Sequence, residues 1–356
     1  MRSFSREEIL ADFQNWQTMI KKYQKPNFSK ALRQVISSFG LFLGLWFLQF
    51  WLFDFSSIYT ILVAIVNGFL LGRIFIIQHD CGHTSFTANQ KFNDWLGTIC
   101  SLCTFIPYRY WSRSHSFHHA HNAQLEFSDI GDIECLSVKE YAAKKWHEKL
   151  WYRIYRNPLY LFTIGGFIYV VLYNRFVLLK TDYFKTVKRD VLISNITFIM
   201  FYALMAYTLG VKKFLFVQFI NLFFFGTLAL WFFYIQHQYE NIYKSKKEEW
   251  NYVLAAIKGS TYYDLPGIFH WLTGNIGYHH IHHLSPVIPN YNLPSCHQEV
   301  SAFQKHAQRI TFVDSLKTVF ANLWDEQNQR MISFRQYTRM KKAGLLSHPP
   351  ATDVHP

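Results

Sequence analysis

Five stretches of this chain, residues 35–53, 55–72, 157–174, 191–211 and 214–239, contain no Lys, Arg, Asp or Glu. A helix rises 1.5 Å per residue, so about 20 such residues cross the roughly 30 Å apolar core of a bilayer. Inside that core each backbone amide must be satisfied within its own helix or barrel. The expected fold is therefore an all-α multi-pass membrane protein. The low charge content agrees: 17% of residues are charged, against about a quarter in soluble domains.

The charges that do occur are unbalanced, with a formal net charge of +13. Lys21, Lys22, Lys25, Lys30 and Arg33 precede the first apolar run, and Lys180, Lys185, Lys188 and Arg189 precede the fourth. This is the placement of the positive-inside rule, in which cationic segments stay on the cytoplasmic face. The basic residues flank the apolar runs rather than forming an interleaved aromatic patch, so the membrane rather than nucleic acid is the expected partner. Cys81, Cys100, Cys103, Cys135 and Cys296 form no regular framework. They read as small buried hydrophobes in a reducing setting.

Histidines mark where chemistry is expected. His279, His282 and His283 fall at i, i+3 and i+4, so three imidazoles share one helical face. His115, His118 and His119 repeat that pattern, and His79 and His83 form an i, i+4 pair. His237 ends the last apolar run. Neutral imidazole is the commonest protein ligand for transition metals, so this grammar points to a metal site.

If the three boxes reach one site, the number of crossings between them must be even. Residues 95–108 are apolar for only 14 positions, which suits a re-entrant or interfacial segment. Of the later runs, residues 157–174 carry Pro158 and the pair Gly165-Gly166 and are expected not to span. About four transmembrane helices remain, with residues 1–34 and every box facing the cytoplasm. Lys212 and Lys213 then lie on an outer loop, against the charge rule. One domain over 1–356 is expected: a lead-in (1–34), a membrane core with the boxes (35–283), and a cytoplasmic helical cap and tail (284–356). Residues 312–323 read as an amphipathic helix of that cap.

The words HDCGH, HSFHH and HHIHH, in that order, resemble the histidine boxes of membrane fatty acid desaturases. FIIQHDCGHTSF, FYIQHQYE and TGNIGYHHIHHLSPVIPNYNL are similar to the corresponding words of bacterial acyl-lipid desaturases, including the Δ12 (ω-6) and Δ5 types. The similarity runs from about Ala31 to Phe334. It implies a di-iron centre that uses O2 to place a cis double bond in the acyl chain of a membrane lipid, within unsaturated fatty acid biosynthesis. The ligands it implies are His79, His83, His115, His118, His119, His237, His279, His282 and His283, with a nearby Asn for which Asn275 is the candidate. No catalytic residue beyond the metal site is expected. No HPGG word of a fused cytochrome b5 occurs, so electrons are expected from a separate donor such as ferredoxin.

The other polar residues receive simpler readings. Asp80, Asp129, Asp132 and Glu240 are candidates to accept from the ligands' outer N–H groups. His121 and His280 border the boxes off the ligand face, and His270 could touch the site. His147, His297, His306, His348 and His355 read as surface residues, and Tyr108, Tyr110 and Trp111 as an interfacial aromatic belt. An acyl chain would need a tunnel lined by Phe, Leu and Ile. A fatty acid hydroxylase or related di-iron oxygenase would use the same boxes. A divalent-metal transporter would instead hold its ligands at the bilayer midplane.

Overall fold

A computed structural model describes residues 4–127, 133–177 and 187–346 of the chain. Seven helices build the site. α1 (Phe28–Leu52) starts where the Asn27 side chain accepts from Lys30 N, and α2 (Ser57–Gly82) starts on Ser56 in the same way. α3 (Gln90–Thr104) is capped by Asn89 and ends at Phe105, whose φ of 59° turns the chain into α4 (Tyr108–His121). α5 (Lys188–Leu209) and α6 (Val211–His237) form a hairpin about Gly210, whose φ of 89° favours glycine. α7 is the short helix His279–Leu284.

Among the described residues, α1, α2, α5 and α6 are the four helices long and apolar enough to cross a membrane. Their outer faces remain uncovered by protein, with Phe47, Trp51, Ile58, Leu62, Ile199 and Leu215 exposed. A lipid-facing surface looks like this, because hydrocarbon rather than a protein core is its solvent.

Residues 95–108 and 157–174 are not among those four helices. Residues 95–108 turn back beside α2: Gln78 Nε2 donates to Ile106 O (3.0 Å), and Thr104 Oγ1 donates to Gln78 Oε1 (2.7 Å). Residues 157–174 break into Pro158–Tyr160, a π-turn at Leu161–Gly165, Gly166–Val171 and a 3-10 turn. Gly166 lies against α6 so closely that a Cβ on Gly226 would come within 2.6 Å of Gly166 O.

One lysine of the α5–α6 turn has an acidic partner. Lys213 Nζ lies 2.6 Å from Oδ2 of Asp54, in the α1–α2 turn. Both helical hairpins therefore turn at the same end of the bundle, and this cation has an acidic partner there.

At the opposite end, short helices and two strand pairs make the cap. Thr261–Asp264 pairs in parallel with Gln308–Thr311, and Leu323–Asp325 pairs antiparallel with Arg330–Ile332. These strands were not foreseen, and they shorten the expected 312–323 helix to Phe312–Thr318. Beyond the helix, Ala321 O accepts from Tyr234 Oη and Arg156 Nη2, both at 2.7 Å. Arg156, wholly buried, also donates to Glu134 O (2.8 Å), Tyr234 Oη (2.9 Å) and Gln238 Oε1 (3.2 Å). Those oxygens compensate the cost of burying its charge and tie the cap to the last turn of α6.

The lead-in is more than a polar approach to the membrane. Ile9, Phe13 and Ile20 pack with Ile281, Leu284 and Phe303, covering the back of α7. His306 is buried there, its Nε2 2.6 Å from Asp12 Oδ2, which corrects its reading as a surface residue. The terminal His348 and His355 and the cations Lys180 and Lys185 fall outside the described residues.

Candidate metal centre

α2, α4, α6 and α7 each end or run at the cap end of the bundle, and each delivers histidines to one place. α2 ends on its pair: His79 lies in its last turn and His83 is its C-cap, with His83 N donating to His79 O (3.1 Å). α4 presents His115, His118 and His119 from one face, α6 contributes its last residue, His237, and α7 is little more than the third box itself.

The nine imidazoles sort into two neighbouring groups. Donor nitrogens of His79, His83, His115, His119 and His282 all lie within 4.8 Å of one another, as do those of His118, His237 and His283. His279 joins the second group, its Nε2 2.9 Å from that of His237 and 3.0 Å from that of His283. Within the first group Nε2 of His115 is 3.0 Å from those of His79 and His119, and His119 is 2.9 Å from His282. The groups touch where the rings of His119 and His283 stack, with centroids 4.2 Å apart. All nine are buried except His83, which is partly exposed.

These contacts have a definite electrostatic meaning. Burial, reinforced by the neighbouring imidazoles, holds His115, His119, His279, His282 and His283 well below the ordinary histidine range, so each is neutral. His79 Nδ1 lies 2.9 Å from Asp80 Oδ1, and His237 Nδ1 lies 3.1 Å from Gly259 O. Each outer nitrogen thus faces an acceptor, which turns Nε2 inward toward the cluster. Lone pairs converging at about 3 Å in a buried space repel unless a cation lies among them. Nitrogen donors in this number suit two transition-metal ions, and exceed what one tetrahedral or octahedral ion can use.

Other residues fall where the sequence did not put them. Asn275 sits in a left-handed turn (φ 60°), donating from Nδ2 to Asn290 O (3.2 Å). Glu240 is exposed and pairs with Arg330 at 3.5 Å, so it supports no ligand. Asp129 and Asp132 lie outside the described residues. His121 stacks on Phe117, off the metal groups, and His270 packs on Tyr278. His280 is buried on the far side of α7 against His297 and Phe303. Tyr108, Tyr110 and Trp111 are buried, not interfacial, and the Trp111 ring stacks on His115 with centroids 4.5 Å apart. The i, i+4 spacing of Trp111 and His115 was the available signal. Asn290, which reaches Asp80, was not legible at all.

A cavity of about 700 Å³ opens onto this cluster. His79, His115 and His279 are among its lining residues, together with apolar Phe75, Phe225 and Ile168. Its largely apolar lining suits a long apolar molecule.

Residues 56–313 match the family described as fatty acid desaturase. A "Fatty acid desaturase" of Bacillus subtilis is 38% identical over 330 residues, spanning 92% of this chain and 93% of that one. The "sn-1 oleoyl-lipid 12-desaturase" of a Synechocystis strain is 26% identical over 293 residues, 79% of this chain and 78% of its own. An "sn-1 acyl-lipid omega-3 desaturase (ferredoxin)" of the same strain is 29% identical over 141 residues, 39% of this chain and 38% of its own.

Proposed function

The chain belongs to the fatty acid desaturase family, and from that premise we propose that it places a cis double bond in the acyl chain of a membrane lipid. The bond is of the ω-6/Δ12 or Δ5 type, and the centre is a pair of iron ions held by His79, His83, His115, His118, His119, His237, His279, His282 and His283. The whole of 1–356 acts as one domain, with the centre on the cytoplasmic side. The observation that carries the reading is the apolar cavity that opens onto two adjoining groups of buried imidazoles.

An unactivated methylene offers no acidity for a general base, so its hydrogens must be removed by an oxidant. When bound, the irons supply that oxidant from O2. Two hydrogens leave adjacent methylenes. With two electrons from the donor and two protons from the medium, they reduce O2 to two waters. The protein's own part is placement. Asp80 and Gly259 O fix the tautomers of His79 and His237, Trp111 holds the His115 ring, and the cavity walls exclude water. The Synechocystis relatives bear the names of an oleoyl-lipid desaturase and a ferredoxin-dependent one, which favours a lipid-borne substrate and a small iron–sulfur donor here.

Expression in a host that lacks polyunsaturated lipids, followed by fatty-acid mass spectrometry with double-bond location, tests this. One new cis double bond at a fixed position is expected. A hydroxylated chain, or an unchanged profile with the protein present and iron-loaded, overturns it.

A further inference from the structure

Phe69, Gly72, Phe75, Ile76 and His79 all line the cavity. Phe69, Gly72, Ile76 and His79 follow one another along α2 at spacings of three, four and three residues, with Phe75 beside them, so a single face of this helix forms a wall from the bilayer interior to the imidazoles. Gly72 stands seven residues before His79, which places it about 10 Å further into the bilayer along the helix axis. Phe75, between them, is held edge-on by Trp111 (centroids 4.8 Å) and lies 5.7 Å from Phe225, so the wall beside the metal groups is fixed.

Gly72 itself is not explained by packing. Gly68, one turn deeper, has no room for a side chain: a Cβ there would come within 2.7 Å of Phe224 Cβ. A Cβ on Gly72 would meet nothing within 4 Å. Its φ is not positive either, so no turn or strained backbone demands glycine. A glycine inside a helix costs about 1 kcal/mol relative to alanine. Here neither close approach nor conformation repays that cost, and what the missing side chain leaves is space in the cavity.

We propose that Gly72 is a specificity-determining residue whose absent side chain sets how far the methyl end of the acyl chain extends past the metal groups. The inference rests on the desaturase reading above. Residues on the cap side of the cavity include Glu134, Trp151 and Tyr155, where a polar headgroup can remain near water. The methyl end then points down α2 toward Gly72 and Phe69. A side chain at position 72 shortens that end. The number of carbons between the new double bond and the methyl terminus must then fall, either because the chain is held back or because only shorter chains fit.

The test compares Gly72→Ala and Gly72→Leu with the unaltered protein in the same host, supplied with saturated and monounsaturated acids of graded length. The readout is the carbon count from double bond to methyl end, and the ratio of long to short chains converted. Gly72→Leu is expected to lower that count or to cut conversion of the longest chains at least tenfold while short chains are still converted. Gly72→Ala is expected to shift the ratio the same way by a smaller factor. Because its methyl meets no neighbour, it keeps the test decisive if the leucine variant does not accumulate. An unchanged count and ratio in the alanine variant, or equal loss on all lengths in an iron-loaded leucine variant, overturns the role of Gly72. Failure of the unaltered protein to form any double bond would instead count against the desaturase reading.

Discussion

Asp80 and His79 are neighbours in the chain and partners in space: Oδ1 of Asp80 lies 2.9 Å from Nδ1 of His79. The other carboxylate oxygen accepts from the backbone N (2.6 Å) and Nδ2 (2.8 Å) of Asn290. One buried carboxylate thus orients an imidazole from the first box and fastens the loop that follows the third. Removing such a partner commonly lowers metal affinity or activity about 10–100-fold. Asp80→Ala is expected to do so, measured as product per retained iron. Asp80→Asn, which still accepts through one oxygen, should lose less. Equal activity per iron in all three proteins would remove Asp80 from the account.

The third box offers a comparison between adjacent residues. His282 faces His119 at 2.9 Å, whereas His280 faces His297 and Phe303. His282→Ala should abolish double-bond formation and reduce iron content. His280→Ala leaves a void on the far side of α7 and should lower stability by a few kcal/mol, on the order of other large-to-small core changes. It should nonetheless keep its iron and measurable activity. If both variants are equally inactive and iron-poor, the assignment of ligands within this helix is wrong.

The contact of Lys213 with Asp54 makes a topological prediction. Cysteines introduced at Ser56 and at Lys212 should react with an impermeant reagent from the same side of intact cells, and a cysteine at Thr338 from the other. Labelling of Ser56 and Lys212 from opposite sides would break the pairing of the two hairpins. The ion pair itself is partly exposed and should matter little, with Asp54→Asn costing under about 1 kcal/mol.

Much of this was readable in the sequence because its signals are local. Uncharged length marks α1, α2, α5 and α6, and residues 157–174, which carry Pro158 and Gly165-Gly166, are not among the four long helices. The histidine spacing placed three imidazoles on one face of α4 and again on α7 without any tertiary information. What escaped depends on partners far apart in the chain. The strands of the cap are three or four residues long and exist only because Thr261–Asp264 meets Gln308–Thr311 and Leu323–Asp325 meets Arg330–Ile332. Trp111 looked interfacial because an aromatic beside a basic residue usually is; its stacking on His115 is visible only once α4 is docked. Glu240 lies close in sequence to His237, but its exposed pairing with Arg330 depends on a strand ninety residues further on.

Acid should act on the metal-free protein in one direction. The folded state holds His115, His119, His279, His282 and His283 below their ordinary value of 6.5, so the unfolded chain binds protons there that the folded chain refuses. Stability then rises with pH through that window. It is fully present above about pH 6.5 and is lost progressively as pH falls below it. Thermal unfolding of the stripped protein from about pH 8 to about pH 5.5 should show a falling midpoint, with the loss confined to the acid end. A midpoint that rises on acidification would contradict neutral, buried imidazoles.

The central claim is that nine histidines from four helices hold two irons, and counting metal on the purified chain tests it most directly. Protein produced with iron supplied, then assayed for bound metals by mass spectrometry alongside its activity, should carry about two irons per chain, as the donor count requires. Activity should rise in proportion to iron occupancy. Full activity with a single metal ion per chain, or with stoichiometric zinc in place of iron, would contradict it.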